Sequence, residues 1–272
     1  MIAESELIIN PDGSIYHLDL RPEDLAENII FVGDPDRVGL VSQYFDIIEV
    51  KKGKREFITH TGTLRGKRLS VISTGIGTDN IDIVMNEIDA LVNVDFDTRE
   101  INKELKSVNI IRIGTSGSIQ EDLAIGSILV SEYAIGFDAL MQYYKKPYTA
   151  IEAVIKDAIT EQLSDLSFQP YVGRASDKLI AQFASELPKG MTMTAPGFYA
   201  PQGRSIRSVN VYPNLIELAN KFRVGDRRIT NLEMETAGIY ALANMFGHHA
   251  LSINAILASR VKEEFSKDPA VV

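Results

Sequence analysis

Two arginines stand where a charged side chain can bind an anion. Arg37 ends the run Gly33-Asp34-Pro35-Asp36-Arg37, and Arg112 lies inside the apolar segment 109–113, before a stretch of hydroxyl groups and glycines at 114–118. A charge inside an apolar strand is costly unless it is paired, and a planar, permanently charged guanidinium suits phosphate oxygens. The pattern predicts either an anion site shared by Arg37 and Arg112, or an ordinary turn beside a buried arginine–glutamate ion pair.

Two glutamates precede a predicted helix that begins at Thr236. Glu233 and Glu235 are favoured there by the helix dipole alone, but a carboxylate can also bind the diol of a ribose. Because the two residues are two positions apart, they should not share one face. We therefore expect at most one of them to contact a given ligand group.

The segment 198–204 is rich in turn residues and offers varied hydrogen-bonding groups. Gln202 carries an acceptor and donors, and Arg204 carries donors alone. With Phe198 as a stacking surface, this loop could hold a flat heterocycle that bears carbonyl groups. The alternative is a solvated surface loop.

Other motifs exclude common site types. The Gly-rich turn Gly75-Ile76-Gly77 has Asn80 where a dinucleotide fingerprint needs glycine, and 62–67 is one residue too short for a phosphate-binding P-loop. The turn can approach a ligand or simply let a helix pack closely. The chain has no cysteine, four histidines and no HExxH pattern, which argues against thiol chemistry and zinc hydrolysis.

Charge and hydropathy narrow the function classes further. The net charge is −9, from 28 basic and 37 acidic residues, which argues against binding to nucleic acid. The first ten residues have neither a basic nor an apolar region of a signal peptide, and no apolar run approaches the roughly 18 residues that span a bilayer. We expect a cytoplasmic protein without a membrane partner.

Short apolar strands and amphipathic helices must position these groups. Strands are predicted at 29–32, 69–72, 109–113, 127–130 and 250–257. Helices are predicted at 81–92, 151–163, 178–187, 213–222 and 236–246. With no repeat or linker that divides the 272 residues, this order predicts a single α/β domain over 1–272, with three α/β/α layers and a mixed central sheet.

Three segments depart from this alternation. Residues 51–71 alternate and turn at Arg65-Gly66-Lys67, which predicts a hairpin. The polar segment 93–107 is predicted to form an excursion with a short helix. The aromatic-rich segment 137–148 is typical of a lid or an interface element.

Four motifs, in this order, resemble the nucleoside phosphorylase superfamily with trimeric and hexameric members, and within it the uridine phosphorylases. They are Gly33-Asp34-Pro35-Asp36-Arg37, Ser73-Thr74-Gly75-Ile76-Gly77, Arg112-Ile113-Gly114-Thr115-Ser116-Gly117 and Glu233-Met234-Glu235-Thr236-Ala237. The resemblance extends from His17 to about Arg260. It implies the nucleoside phosphorylase-like fold and the phosphorolysis of uridine to uracil and ribose 1-phosphate in pyrimidine salvage. Whether deoxyuridine or thymidine is also a substrate stays open at this point.

The resemblance also implies the role of each site residue. Phosphate would be bound by Gly33, Arg37, Arg112 and Thr115, with Arg55 reaching the phosphate of a neighbouring subunit. The nucleoside would be bound by His17 of a neighbouring subunit and by Phe198, Gln202, Arg204, Met234, Glu235 and Arg260. The residues expected to act in catalysis are Arg204, Gln202 and Arg112.

The resemblance implies a homo-oligomer, a hexamer built as a trimer of dimers, with inorganic phosphate as co-substrate and no cofactor or metal. The family's monovalent cation at the dimer interface is not expected, because Asn80 replaces the serine that acts there with the glutamate matching Glu56. Three alternatives stay open. A purine nucleoside phosphorylase would need an aspartate for the purine N7, which Ala258-Ser259-Arg260 does not provide. A nucleosidase would not need three arginines, and a nucleoside-binding protein would show no turnover.

Overall fold

The computed structural model describes residues 1–164 and 168–269. Within these residues the chain alternates strands, α-helices and short 3-10 turns. The strands are β1 (Asn28–Val32), β2 (Ile47–Lys54), β3 (Phe57–Leu64), β4 (Lys67–Ser73), β5 (Val94–Asp95), β6 (Glu100–Ile101), β7 (Asn109–Ser118), β8 (Ile128–Gly136), β9 (Tyr171–Arg174), β10 (Lys189–Thr194), β11 (Arg223–Val224), β12 (Arg227–Glu233), β13 (His249–Ser259) and β14 (Glu264–Phe265). The helices are α1 (Asp36–Ser42), α2 (Thr78–Asn93), α3 (Ala150–Gln162), α4 (Asp177–Phe183), α5 (Leu215–Lys221) and α6 (Thr236–Phe246).

One mixed sheet contains all strands except β5 and β6. Its order is β11-β12-β10-β8-β13-β7-β1-β4-β3-β2, with β9 beside β8 and β14 beside β13. The pairs β7–β1, β1–β4, β13–β7, β8–β10 and β10–β12 are parallel, whereas β2–β3, β3–β4 and β8–β13 are antiparallel. In addition, β12 pairs with β7, so the path through β7, β13, β8, β10 and β12 closes on itself. The mixed central sheet is confirmed.

Helices cover both faces of this sheet. Ile29 and Phe31 of β1 pack into the core beneath α2 and α6, whereas Val32 packs with Val38 of α1 on the opposite face. A third cluster joins α3 and α5 to β8, β10 and β12. Since strand side chains alternate between faces, this burial produces the predicted three α/β/α layers.

The core helices follow the expected periodicity. In α2 the residues at helical spacing are buried, and polar residues occupy the other face. The buried apolar residues of α2 are Ile81, Val84, Met85, Ile88 and Leu91. Helix α6 differs, because residues 236–243 are buried on every side. A helix enclosed all round is mostly apolar, and the hydroxyl groups of Thr236 and Tyr240 in this one are hydrogen-bonded. Glu233 and Glu235 lie at the start of this helix.

Two sequence predictions need correction. The predicted short helix in 93–107 is wrong, because this segment forms the two-stranded ribbon β5–β6. The ribbon holds the N-terminus, since the Ile2 N–H donates to the Arg99 carbonyl and Arg99 Nη1 donates to the Leu7 carbonyl. The predicted hairpin is confirmed as β3–β4, but the chain makes a second hairpin before it, β2–β3, which turns at Arg55 with φ of 58°.

Three buried strands were not predicted. β9, β10 and β12 contain Thr, Met, Gly, Arg or Asn instead of a continuous β-branched run, so their local pattern is weak.

In the described residues, no helix has the length and apolar character that crossing a membrane requires.

Candidate functional site

A cavity of about 660 Å³ lies where several strands of the sheet end. Its wall includes the turns after β1 and β4, the second half of β7 and the end of β12. The carboxyl ends of strands are the usual place for ligands in open α/β sheets. Nine of the twelve predicted site residues line this cavity: Gly33, Arg37, Arg112, Thr115, Phe198, Gln202, Arg204, Met234 and Glu235.

Arg112 is the buried centre of the site, with 4% of its surface exposed. Its Nη2 donates to Glu235 Oε2 at 2.5 Å and lies 3.3 Å from Glu233 Oε2, and its Nη1 donates to Asn254 Oδ1 at 3.0 Å. Burial by itself would lower the pKa of Arg112, but the two carboxylates outweigh it and raise that pKa. Arg112 therefore stays charged inside the protein.

Both carboxylates contact Arg112, although their spacing predicted that Glu233 and Glu235 should not share one face; that at most one of them contacts a given ligand group stays a prediction. Glu233 is the last residue of β12 and Glu235 immediately precedes α6, so the chain turns between them. A spacing rule for a regular helix does not apply across that turn. The buried arginine–glutamate ion pair is confirmed, and it coexists with the exposure of Arg112 and Arg37 to the same cavity.

The two glutamates differ in what they bind. Glu233 accepts hydrogen bonds from Thr194 Oγ1, from Thr236 Oγ1 and from the backbone N–H groups of Glu235 and Thr236. It thereby holds the start of α6. Glu235 accepts from Arg112 and from the Gly77 N–H at 2.8 Å. Burial, opposed in part by Arg112, raises the pKa of Glu235.

Gly114 is required by the path of the Arg112 side chain. A Cβ atom at Gly114 would overlap the Arg112 guanidinium. The glycine thus allows the arginine to fold back over its own strand towards Glu235. The first glycine of the Gly-Thr-Ser-Gly pattern after Arg112 has this local physical cause.

Arg37 approaches the same cavity from the start of α1. Its Nη1 donates weakly to the Ile113 carbonyl at 3.3 Å, and its guanidinium packs against Gly33. Burial lowers the pKa of Arg37, and the nearby charge of Arg112 lowers it further. Two cations that repel each other across a cavity favour an anion between them.

The other part of the cavity contains a second cluster. Arg204 lies 3.8 Å from the ring centroid of Phe198 and donates from Nη1 to the Phe198 carbonyl and to Gln202 Oε1, both at 2.6 Å. Arg260 lies behind this loop and donates to the Gln202 carbonyl at 2.7 Å. Burial, then the charge of Arg260, lowers the pKa of Arg204 to about 10, so its side chain is charged at neutral pH.

This cluster explains why the loop is not simply solvated. Gln202 is buried, whereas Phe198 exposes about half of its surface. One face of Phe198 is covered by Arg204. The loop therefore presents an aromatic surface and oriented donors to the cavity.

Three predicted residues do not line the cavity of their own chain. Arg260 touches it through Gln202. Arg55 is exposed at the β2–β3 turn. His17 lies in a separate groove and binds Glu87. The positions of His17 and Arg55 leave the expectation that they serve a neighbouring subunit as a prediction.

Glu56 and Asn80 both line the cavity beside Gly75. The Asn80 amide donates from Nδ2 to the Ile76 carbonyl at 3.2 Å. Because the Asn80 amide also carries a carbonyl oxygen, a kind of ligand that hard cations accept, the expected lack of a monovalent cation stays a prediction. Within 1–164 and 168–269, no group of three or more His, Asp or Glu side chains could hold a metal ion.

Sequence reasoning missed Asn254 and Ser252. Asn254 binds Arg112 through Oδ1 and donates from Nδ2 to Ser131 Oγ at 3.0 Å. Ser252 contacts Thr236 Oγ1. Both interrupt the apolar run 250–257, and such buried polar residues need partners. That interruption was the available signal.

Comparison with known proteins shows that this chain is similar to phosphorylases. The sequence profile described as "Phosphorylase superfamily" matches residues 28–269. A uridine phosphorylase of Thermococcus kodakarensis is 31% identical over 260 residues, which cover 94% of this chain and 81% of that protein. A purine nucleoside phosphorylase of Bacillus thuringiensis is 25% identical, covering 87% of this chain and 83% of that protein.

A solved structure of a phosphorylase is also similar to this chain. A Trypanosoma brucei nucleoside phosphorylase, described as showing uridine phosphorylase activity, aligns with a TM-score of 0.83 and 31% identity. The alignment covers 96% of this chain and 93% of that one.

Proposed function

The chain belongs to the phosphorylase superfamily, and from this membership and the cavity we propose that it is a uridine phosphorylase, a pentosyltransferase that converts uridine and phosphate to uracil and ribose 1-phosphate. One observation carries the proposal. A single cavity joins the guanidinium pair Arg37 and Arg112 to the donor cluster Gln202 and Arg204, with Glu235 also in its wall.

Phosphate binds at the first cluster. Arg37 and the buried Arg112 supply charge, and Gly33 and Thr115 complete the wall. Glycosidic cleavage has an oxocarbenium-like transition state, so a phosphate anion below C1′ stabilises the developing positive charge and then forms the new bond to C1′. Because phosphate is already ionised, no protein base has to activate it. Binding both reactants in line supplies a further rate advantage.

Uracil leaves into the second cluster. As the C1′–N bond breaks, its electron pair moves into the base and negative charge reaches the carbonyl oxygens. Gln202 and Arg204 hold oriented donors there before the reaction begins, which lowers the barrier as an oxyanion hole does. Phe198 packs against the base, and Arg260 orients the loop through Gln202.

Ribose lies between these clusters. Glu235 accepts hydrogen bonds from its hydroxyl groups, and Met234 forms the apolar side of the subsite. Glu235 already accepts hydrogen bonds from Arg112 and from the Gly77 N–H. A carboxylate has about four acceptor positions, so hydroxyl groups can be added without breaking the ion pair.

The proposal also covers the oligomeric state, the need for a cofactor and the cellular role. His17 and Arg55 complete the site of a neighbouring copy, so the active unit is at least a dimer and the assembly is a hexamer. No cofactor is used, and the replacement of the family's serine by Asn80 argues against a monovalent cation at the interface. The enzyme acts in cytoplasmic pyrimidine salvage.

Product analysis tests the reaction. Uridine is incubated with the protein, with and without phosphate, and uracil, ribose 1-phosphate and free ribose are quantified. The proposal requires uracil and ribose 1-phosphate in equal amounts and no cleavage without phosphate. Free ribose without phosphate identifies a nucleosidase, and binding without turnover identifies a binding protein. Equal efficiency on inosine would refute the pyrimidine assignment but keep phosphorolysis, the outcome for which the Bacillus relative is the precedent.

Subunit mixing tests the shared site. Arg55→Ala subunits are mixed with Glu235→Ala subunits under conditions in which exchange is verified by mass spectrometry, at a phosphate concentration at which neither variant alone turns over uridine. Mixed dimers hold one intact site, so part of the activity should return. Verified exchange without any activity contradicts the shared site.

A further inference from the structure

Both carboxylate oxygens of Glu87, a residue of α2, accept hydrogen bonds from the segment that carries His17. The His17 backbone N–H donates to both carboxylate oxygens, at 3.0 and 3.1 Å, and the Leu18 N–H donates to Oε2 at 2.8 Å. His17 Nδ1 lies 2.7 Å from Oε1. The Glu87 side chain exposes 12% of its surface. Three donors on one carboxylate fix both the backbone and the ring of His17.

These contacts determine which ring nitrogen carries the proton. An ionised carboxylate can accept but cannot donate, so His17 Nδ1 must bear hydrogen when it faces Oε1. In the neutral imidazole, Nε2 is then the acceptor. Nε2 makes no hydrogen bond within the described parts of the chain. The ring is also confined by edge contacts with Tyr16 and Phe57, at centroid distances of 4.7 and 6.4 Å.

We propose that Glu87 is a positioning residue, which holds His17 as the Nδ1–H tautomer and thereby presents the Nε2 lone pair to the 5′-hydroxyl of a nucleoside bound in a neighbouring copy. The proposal rests on the proposed phosphorylase function. Glu235 is assigned to the hydroxyl groups on the sugar ring, which leaves the 5′-hydroxyl as the remaining donor of the sugar. His17 does not line its own cavity, and the shared site proposed above places Nε2 in the cavity of another copy.

A hydroxyl suits this acceptor for a further reason. It can donate to Nε2 of the neutral ring and can accept from Nε2 of the protonated ring, so the contact survives a change in the charge of His17. A 5′-methyl group can do neither. The Glu87–His17 pair therefore predicts discrimination between uridine and 5′-deoxyuridine.

The experiment compares these two substrates at saturating phosphate in four proteins: the unaltered enzyme, His17→Ala, Glu87→Gln and the control Glu104→Gln. Glutamine preserves the length of Glu87 but turns one acceptor into a donor facing N–H groups. Glu104 is an exposed glutamate of the ribbon segment, so its variant controls for the loss of one negative charge.

The unaltered enzyme and Glu104→Gln should favour uridine over 5′-deoxyuridine in kcat/KM by about two- to tenfold, the value of one hydrogen bond. Both His17→Ala and Glu87→Gln should lose that preference, through the uridine value alone. Their phosphate KM and their 5′-deoxyuridine kinetics should stay unchanged. A double variant should show no additional loss, since both changes remove the same contact.

A purely structural role gives a different pattern. If Glu87→Gln lowers both substrates equally, or keeps the preference for uridine, the positioning role is overturned. A second readout avoids activity altogether: ¹⁵N spectra of histidine-labelled protein, with His17 assigned by the His17→Ala variant. The unaltered protein should show hydrogen on Nδ1, and Glu87→Gln should lose that tautomer preference; hydrogen on Nε2 in the unaltered protein overturns the inference. Failure of the proposed phosphorylase function can be distinguished from failure of the Glu87 role, because the protein would then cleave neither substrate in the presence of phosphate.

Discussion

Arg37 and Arg112 face the same cavity, but their removal should have different consequences, because only Arg112 neutralises buried carboxylates. Arg37 makes one weak hydrogen bond, to the Ile113 carbonyl, and is repelled by Arg112. Its replacement by alanine leaves no buried carboxylate unpaired. Loss of a charged hydrogen bond to phosphate costs about 1.5–3 kcal/mol, which corresponds to a rise in the phosphate KM of roughly tenfold to a hundredfold.

The Arg112→Ala variant should instead be destabilised. It leaves Glu233 and Glu235 together in the interior without their cation. Breaking a buried ion pair by removing one partner typically costs about 3–5 kcal/mol in the free energy of unfolding. Arg37→Ala should lose less than about 1 kcal/mol, as is usual away from buried networks.

Two measurements separate these effects. Initial rates are recorded against phosphate at saturating uridine, and against uridine at saturating phosphate, and the free energy of unfolding is taken from urea titrations. Arg65→Ala, at the exposed β3–β4 turn, is the control for loss of one positive charge. An unchanged phosphate KM in Arg37→Ala refutes the anion site, and equal stability of the Arg37→Ala and Arg112→Ala variants refutes the buried-pair reasoning.

Three further outcomes follow from the site. Gly114→Ala should displace the Arg112 guanidinium and raise the phosphate KM at least about tenfold, whereas Gly126→Ala, where a Cβ meets no atom within 4 Å, should leave it unchanged. Arg204→Ala should lower kcat for uridine by about ten- to a hundredfold while the phosphate KM stays within about twofold, since its contact strengthens as charge reaches the base; equal changes in both constants contradict that role. Burial raises the pKa of Glu235, so the unfolded chain releases this proton first as pH rises. The stability that Glu235 contributes is therefore present below its unfolded pKa of about 4.5 and is lost as pH rises through the higher folded value. In urea titrations, the free energy of unfolding of the unaltered protein should fall relative to that of Glu235→Gln as pH rises over that range. A rise instead would show that folding lowers the pKa of Glu235.

Much of the architecture followed from local patterns. Strand β1 and the first half of β7 are largely apolar, and α2 has its apolar residues at helical spacing. Burial of such a pattern depends mainly on the residue types within one segment. The order of the four motifs likewise identified the family, and nine of the twelve predicted site residues meet in one cavity.

What the sequence did not determine depends on contacts between distant segments. Arg112 required a partner, but that its partners are both Glu233 and Glu235, together with Asn254, follows from the pairing of β7 with β12 and β13. The strands β9, β10 and β12 are buried by their neighbours although their own residues are weakly apolar. Residues 93–107 form a ribbon because the N-terminal segment packs beside them. Local spacing records which side chains must be buried or paired, whereas the choice of partner is made through space, by whichever segments the sheet brings together.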